Sequence, residues 1–92
     1  MIARIKLIGV LRSRLGKEEI SVEFSKPTKL KELLKELRSR IPDLREAVEE
    51  DGSLTSSYIA FINNVDYRLL GGLDYLLEND VNISLVPLSH GG

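Results

Sequence analysis

The chain has 92 residues, enough for one hydrophobic core and a single domain, and its 42% apolar and 29% charged residues are those of an ordinary folded globule. It has no cysteine, which excludes disulfides, thiolate metal sites, thiol nucleophiles and redox chemistry. Thirteen basic against fourteen acidic side chains leave a net charge of -1, too balanced for a protein built to hold a polyphosphate backbone, so nucleic acid is not an expected partner.

Arg4 and Lys6 interrupt the N-terminal apolar residues and the apolar runs are short, so neither a signal peptide nor a membrane span is expected, and the expected address is cytoplasmic. The charge is unevenly distributed. Residues 1–45 hold twelve of the thirteen basic side chains against six acids, while residues 46–92 hold only Arg68 against eight acids. In a domain with one core the two halves are expected to interleave rather than form two poles.

In chain order, residues 2–9 alternate as a strand with Ala3, Ile5 and Leu7 on one face and Arg4 and Lys6 on the other, which leaves Ile8 on the polar face. Leu11 to Lys17 reads as a connection. Ile20, Val22 and Phe24 alternate with Glu19, Ser21 and Glu23 as a second strand, completing a hairpin. Thr28 is a candidate N-cap for a helix whose Leu30, Leu33, Leu34, Leu37 and Ile41 fall at helical spacing and which Pro42 ends. A second short helix is expected over residues 43–50, with Leu44, Ala47 and Val48 inward, then a loop.

Tyr58 to Asn63 is β-branched and aromatic enough for a third strand. Tyr67 to Leu69 is read as a short fourth strand before Gly71-Gly72, and Leu73, Leu76 and Leu77 as one helical turn. Val81, Ile83 and Leu85 alternate with Asn82 and Ser84 as a final strand, with Val86 and Leu88 on its outer face. Residues 87–92 are expected to form a flexible tail. Helices confined to one face of a mixed sheet give a two-layer α+β domain.

Catalytic constellations are nearly absent. The one histidine, His90, is third from the end of the sequence, and Glu18-Glu19 and Glu49-Glu50-Asp51 place their carboxylates on diverging directions, so surface charge is the better account of both clusters. The Gly-Gly end, Gly91-Gly92, directly after a strand, has a physical rationale beyond flexibility. Glycines let backbone enter a channel too narrow for any side chain, so that only the terminal carboxylate reacts. That carboxylate is ionised and a poor electrophile at neutral pH and needs activation, most simply by ATP on a partner enzyme, because this domain has no site for it.

Leu11-Arg12 with Gly16 in the first hairpin, the segment from Ile62-Asn63-Asn64 through Leu70-Gly71-Gly72-Leu73-Asp74, and the Pro87 to Gly92 ending together resemble the MoaD family, the small subunit of molybdopterin synthase and a ubiquitin-like sulfur carrier. The resemblance covers essentially the whole chain and implies a ubiquitin-like β-grasp fold, with a mixed sheet and one main helix packed on one face. It implies that an E1-like (MoeB-like) enzyme adenylates Gly92 using ATP and Mg, with no cofactor bound by this chain itself. A sulfur donor then forms the thiocarboxylate, and the tail delivers the sulfur to a pterin precursor inside the large (MoaE-like) subunit. Pro87, Leu88, Ser89 and His90 would lead Gly91 and Gly92 into the partner. Ile8, Val86 and Leu88, with Tyr67 as a further member, are the expected docking face at the root of that tail. A protein modifier joined through Gly92 to lysines and a non-enzymatic interaction module stay open, since the first uses the same tail and the second needs no chemistry.

Overall fold

The computed structural model describes residues 1–88. In order, the elements are β1 (Ile2–Leu7), α1 (Val10–Leu15), β2 (Glu19–Glu23), β3 (Thr28–Lys29), α2 (Leu30–Arg40), a 3-10 turn at Pro42–Glu46, β4 (Tyr58–Ile62), β5 (Val65–Asp66), 3-10 turns at Tyr67–Leu70 and Gly72–Asp74, β6 (Leu76–Leu77) and β7 (Val81–Pro87). The main sheet has the order β2-β1-β7-β4-β5, and β3 and β6 make a separate two-stranded ribbon. β1 and β7 run parallel in adjacent places, and every other pairing in the sheet is antiparallel. This is the β-grasp arrangement, with α2 across one face of a mixed sheet.

Alternation decides which face is covered. Ala3, Ile5 and Leu7 of β1, Val22 of β2, Ala60 and Ile62 of β4 and Val81, Ile83 and Leu85 of β7 are buried together with Leu30, Leu33, Leu34 and Leu37 of α2. Each fully buried leucine or isoleucine contributes about 1.5–3 kcal/mol of transfer free energy, so this one contiguous cluster is the main stabilising feature of the domain. Leu44, Ala47 and Val48 close its end, and the Val48–Leu54 bridge fastens the following loop.

Several local expectations give way to tertiary context. Residues 11–17 are not a plain connection, because Leu11 and Leu15 stand one helical turn apart and α1 forms to bury them, ending where the Gly16 N–H donates to the Arg12 carbonyl. Thr28 does not cap α2. It lies in β3, its hydroxyl donates to the Lys26 carbonyl, and the Leu30 N–H at the start of the helix donates to the Tyr75 carbonyl instead. The helix expected over 43–50 is a 3-10 turn ending at Glu46, because the chain must bend to place Ala47 and Val48 in the core.

Further along, Tyr67 to Leu69 is not a strand. The pairing edge is Val65–Asp66, after which the Asp66 carboxylate accepts from the Arg68 N–H and bends the chain into a 3-10 turn. Leu73, Leu76 and Leu77 are likewise not one helical turn, since Leu76 and Leu77 extend to pair with Lys29 and Thr28. Pro87 belongs to β7 rather than to a tail, and the Leu88 N–H donates to the Ser57 carbonyl; the remainder of the expected tail, residues 89–92, lies outside the described residues.

The two charged halves do interleave. Arg14 pairs with Glu46 at 3.1 Å, Lys29 with Asp74 at 3.6 Å and Arg38 with Glu50 at 3.9 Å, each joining one half to the other. Among the described residues no helix is long and apolar enough to cross a membrane.

Candidate functional site

Among the described residues no helix lies over the sheet face opposite α2. Strand alternation sends Arg4 and Lys6 of β1 and Asn82, Ser84 and Val86 of β7 to this open face, opposite in direction to their buried neighbours. β4 supplies Ile59 and Phe61, because the register sets Ile59 directly across from Val86 and Phe61 across from Ser84. Ile59 is only 8% exposed yet stands apart from the main core cluster. Ile59, Phe61 and Val86 therefore form an apolar strip on the open face, with Ile59 buried and the other two half-buried.

The strip ends where the chain leaves the sheet. Leu7 pairs with Leu85, so Ile8 comes level with Val86, and Leu88 follows one strand period beyond at 44% exposure. Gly9 lies against the ring of Pro87 so closely that a Cβ there would come within 3.2 Å of the proline Cγ. The start of α1 thus packs against Pro87, the last residue of β7.

Charges rim the strip. Arg4 and Lys6 flank it on the β1 side. On the other side Asp66, opposite Phe61, receives the Arg68 guanidinium at 2.7 Å. The hydrogen bond from the Arg68 side chain, together with the Arg68 backbone N–H, holds the Asp66 carboxyl below the ordinary carboxylate range, and the same pairing raises the Arg68 guanidinium. Among the described residues no group of three His, Asp or Glu side chains converges as a metal site requires.

Of the residues expected at the docking face, Ile8, Val86, Pro87 and Leu88 gather at the end of β7. Tyr67 does not join them. It follows the bend at Asp66 and packs against the core cluster on the α2 side, because the 3-10 turn carries it off the open face. Ser89, His90, Gly91 and Gly92 lie outside the described residues. Ile59 and Phe61 were missed by the pattern of single outward residues, although the run Tyr58-Ile59-Ala60-Phe61-Ile62 held the signal: a strand apolar on both faces needs something against its second face.

A family model described as Urm1 (Ubiquitin related modifier) matches residues 5–92. The Ubiquitin-related modifier 1 homolog of Dictyostelium discoideum is 29% identical over 100% of both chains. The small archaeal modifier protein 1 of Methanosarcina acetivorans is similar in structure, with a TM-score of 0.79 at 28% identity over 99% of this chain and 96% of that one. A Pyrococcus furiosus protein described as a candidate molybdopterin converting factor, subunit 1, shares the fold with a TM-score of 0.75 at 17% identity, over 97% of this chain and 99% of that one.

Proposed function

The chain belongs to the Urm1 family of ubiquitin-related modifiers, and on that premise we propose that it is a carrier that works through the carboxylate of Gly92. An E1-like adenylating enzyme uses ATP and Mg to turn that carboxylate into an acyl adenylate with release of pyrophosphate, and sulfide-level sulfur from a donor attacks the acyl carbon, expelling AMP and leaving a thiocarboxylate. The observation that carries this reading is positional: the apolar strip of Ile59, Phe61 and Val86 runs to the end of β7, from which the sequence proceeds to Gly91-Gly92. A docking surface at the root of a side-chain-free end supplies binding energy beside the reacting group while contributing no catalytic side chain.

The thiocarboxylate suits a sulfur donor, since sulfur is the better nucleophile. The acceptor we favour is a pterin precursor held by a MoaE-like large subunit, a reading supported by the segment Leu70-Gly71-Gly72-Leu73-Asp74 and its resemblance to the MoaD family. The second reading, conjugation of Gly92 to a lysine of a target protein, is favoured by the names borne by the relatives and draws on the same activated end.

Intact-mass measurement after incubation with an activating enzyme, ATP, Mg and a sulfur source tests the shared step. Replacement of one oxygen by sulfur is expected in the full chain and not after removal of Gly91 and Gly92, with the fold of the shortened chain preserved. Sulfur transfer by the shortened chain overturns the reading. Presenting the thiocarboxylate form with a pterin precursor plus large subunit, or with lysine-bearing proteins, separates sulfur delivery from isopeptide formation.

A further inference from the structure

β2 is the long free edge of the sheet, and no described residue pairs with its outer side. Which of its groups point outward follows from the ladder. Met1 and Phe24 exchange backbone hydrogen bonds, and the Leu7 N–H donates to the Glu18 carbonyl at 2.8 Å. Antiparallel hydrogen-bonded pairs alternate, so Ala3–Val22 and Ile5–Ile20 are also bonded pairs. The N–H and C=O of Glu19, Ser21 and Glu23 therefore face away from β1, a row of three donor–acceptor sets open to another strand.

The side chains above that row have one sign. Glu19, Ser21 and Glu23 share the open sheet face with their partners Lys6, Arg4 and Ile2, and neither glutamate is in an ion pair among the described residues. A second copy of this chain adding antiparallel about a two-fold axis at Ser21 would set each Glu19 against the other copy's Glu23, so self-pairing meets like charges directly opposed at both ends. The same positions attract a strand with basic residues there.

We propose that the β2 edge is a strand-addition site for an extended, basic segment of a partner protein, with Lys or Arg at the two positions facing Glu19 and Glu23 and a small residue facing Ser21. Main-chain hydrogen bonds to Glu19, Ser21 and Glu23 supply the binding and the two carboxylates select the sign of charge. The opposite edge offers no equivalent, because β5 spans two residues and ends in a turn.

The test uses the full chain and a pair of synthetic extended nonapeptides, one with Lys flanking a central Ser at the facing positions and one with Glu in place of Lys. Backbone amide shifts are followed by NMR. The Lys peptide is expected to move and protect the amides of Glu19, Ser21 and Glu23 and to bind about tenfold or more tightly than the Glu peptide. The double variant Glu19→Lys/Glu23→Lys should invert that preference. Ser21→Pro, which removes only an outward N–H, should abolish binding of both peptides with the fold intact. Equal binding of the two peptides, shifts centred on Ile59 and Val86, no binding by either peptide at about 1 mM, or a wild-type dimer paired through β2 would each overturn the proposal.

Discussion

Gly52 is packed against the carbonyl of Lys31. A Cβ at Gly52 would stand 2.1 Å from the Lys31 oxygen, a backbone atom inside α2 that has nowhere to move, and the residue holds φ at +90°. The loop after the 3-10 turn therefore closes onto the helix through a contact that only glycine allows. Gly52→Ala is expected to cost on the order of 2–4 kcal/mol of stability, whereas Gly16→Ala, where a Cβ would meet nothing within 4 Å, should cost about 1 kcal/mol for its left-handed backbone alone. Urea unfolding of the two variants side by side checks the difference.

Val86 is the residue of choice for probing the open face, being half-buried directly across from Ile59. Val86→Asp should weaken association with the proposed activating enzyme and sulfur acceptor by a few kcal/mol, about the loss seen at a buried hot spot, and lower the unfolding midpoint without unfolding the domain. Calorimetric titration against each partner, with circular dichroism as the control for folding, measures both. Unchanged affinity for the two partners would place the docking face elsewhere.

Asp66 should respond to acid through Arg68. Its carboxyl lies below the ordinary value in the folded protein, first because the Arg68 side chain donates to it. A carboxyl lowered on folding adds stability above its unfolded pKa and gives it up as pH falls through its folded one, so the contribution disappears below the usual carboxylate range. Carboxyl-carbon NMR titration is expected to show Asp66 ionising at lower pH than in Arg68→Ala. Because Arg68 is exposed and bonds only two residues along the chain, the effect belongs to the local turn more than to global stability.

Tyr58 should mark the alkaline limb. Burial raises its phenol pKa above the ordinary value, and the negative charge of Glu46 pushes in the same direction. An acid raised on folding contributes nothing to the pH dependence below its unfolded pKa, and stability falls as pH climbs from that value through the folded one. Stability measured across that window is expected to decline in the wild type more than in Tyr58→Phe, which has no phenol to ionise.

How much of this was legible in sequence depended on whether a residue's neighbours in the chain were also its neighbours in space. The alternation of Ala3, Ile5 and Leu7 and of Val81, Ile83 and Leu85, and the helical spacing from Leu30 to Leu37, marked the core correctly because each element buries one face. Thr28 looked like a cap because nothing nearby in sequence reveals that Leu77 pairs with it. α1 stayed hidden since six residues carry too few turns to display a period, and Leu11 is buried only once the helix turns back onto the core. Tyr67 was misplaced for a similar reason: the bend is set by the Asp66 side chain bonding two residues ahead, a local choice that alternation does not encode. Gly91-Gly92, to which the proposed chemistry is assigned, is plain in the sequence and lies outside the described residues.

The parallel pairing of β1 with β7 puts the first strand of the chain beside its last described one, in the interior of the sheet. A nascent chain therefore carries its first strand for some eighty residues of synthesis, about as long-range a closure as the domain permits, before the neighbour that completes the sheet has been made. β4 has a shorter wait for the same partner, since β7 follows it by only about twenty residues. A chain broken off before Val81 would leave β1 and β4 with no strand between them and expose Ile5 and Ala60 to water. Completion of translation and closure of the sheet are in this way tied to a single strand.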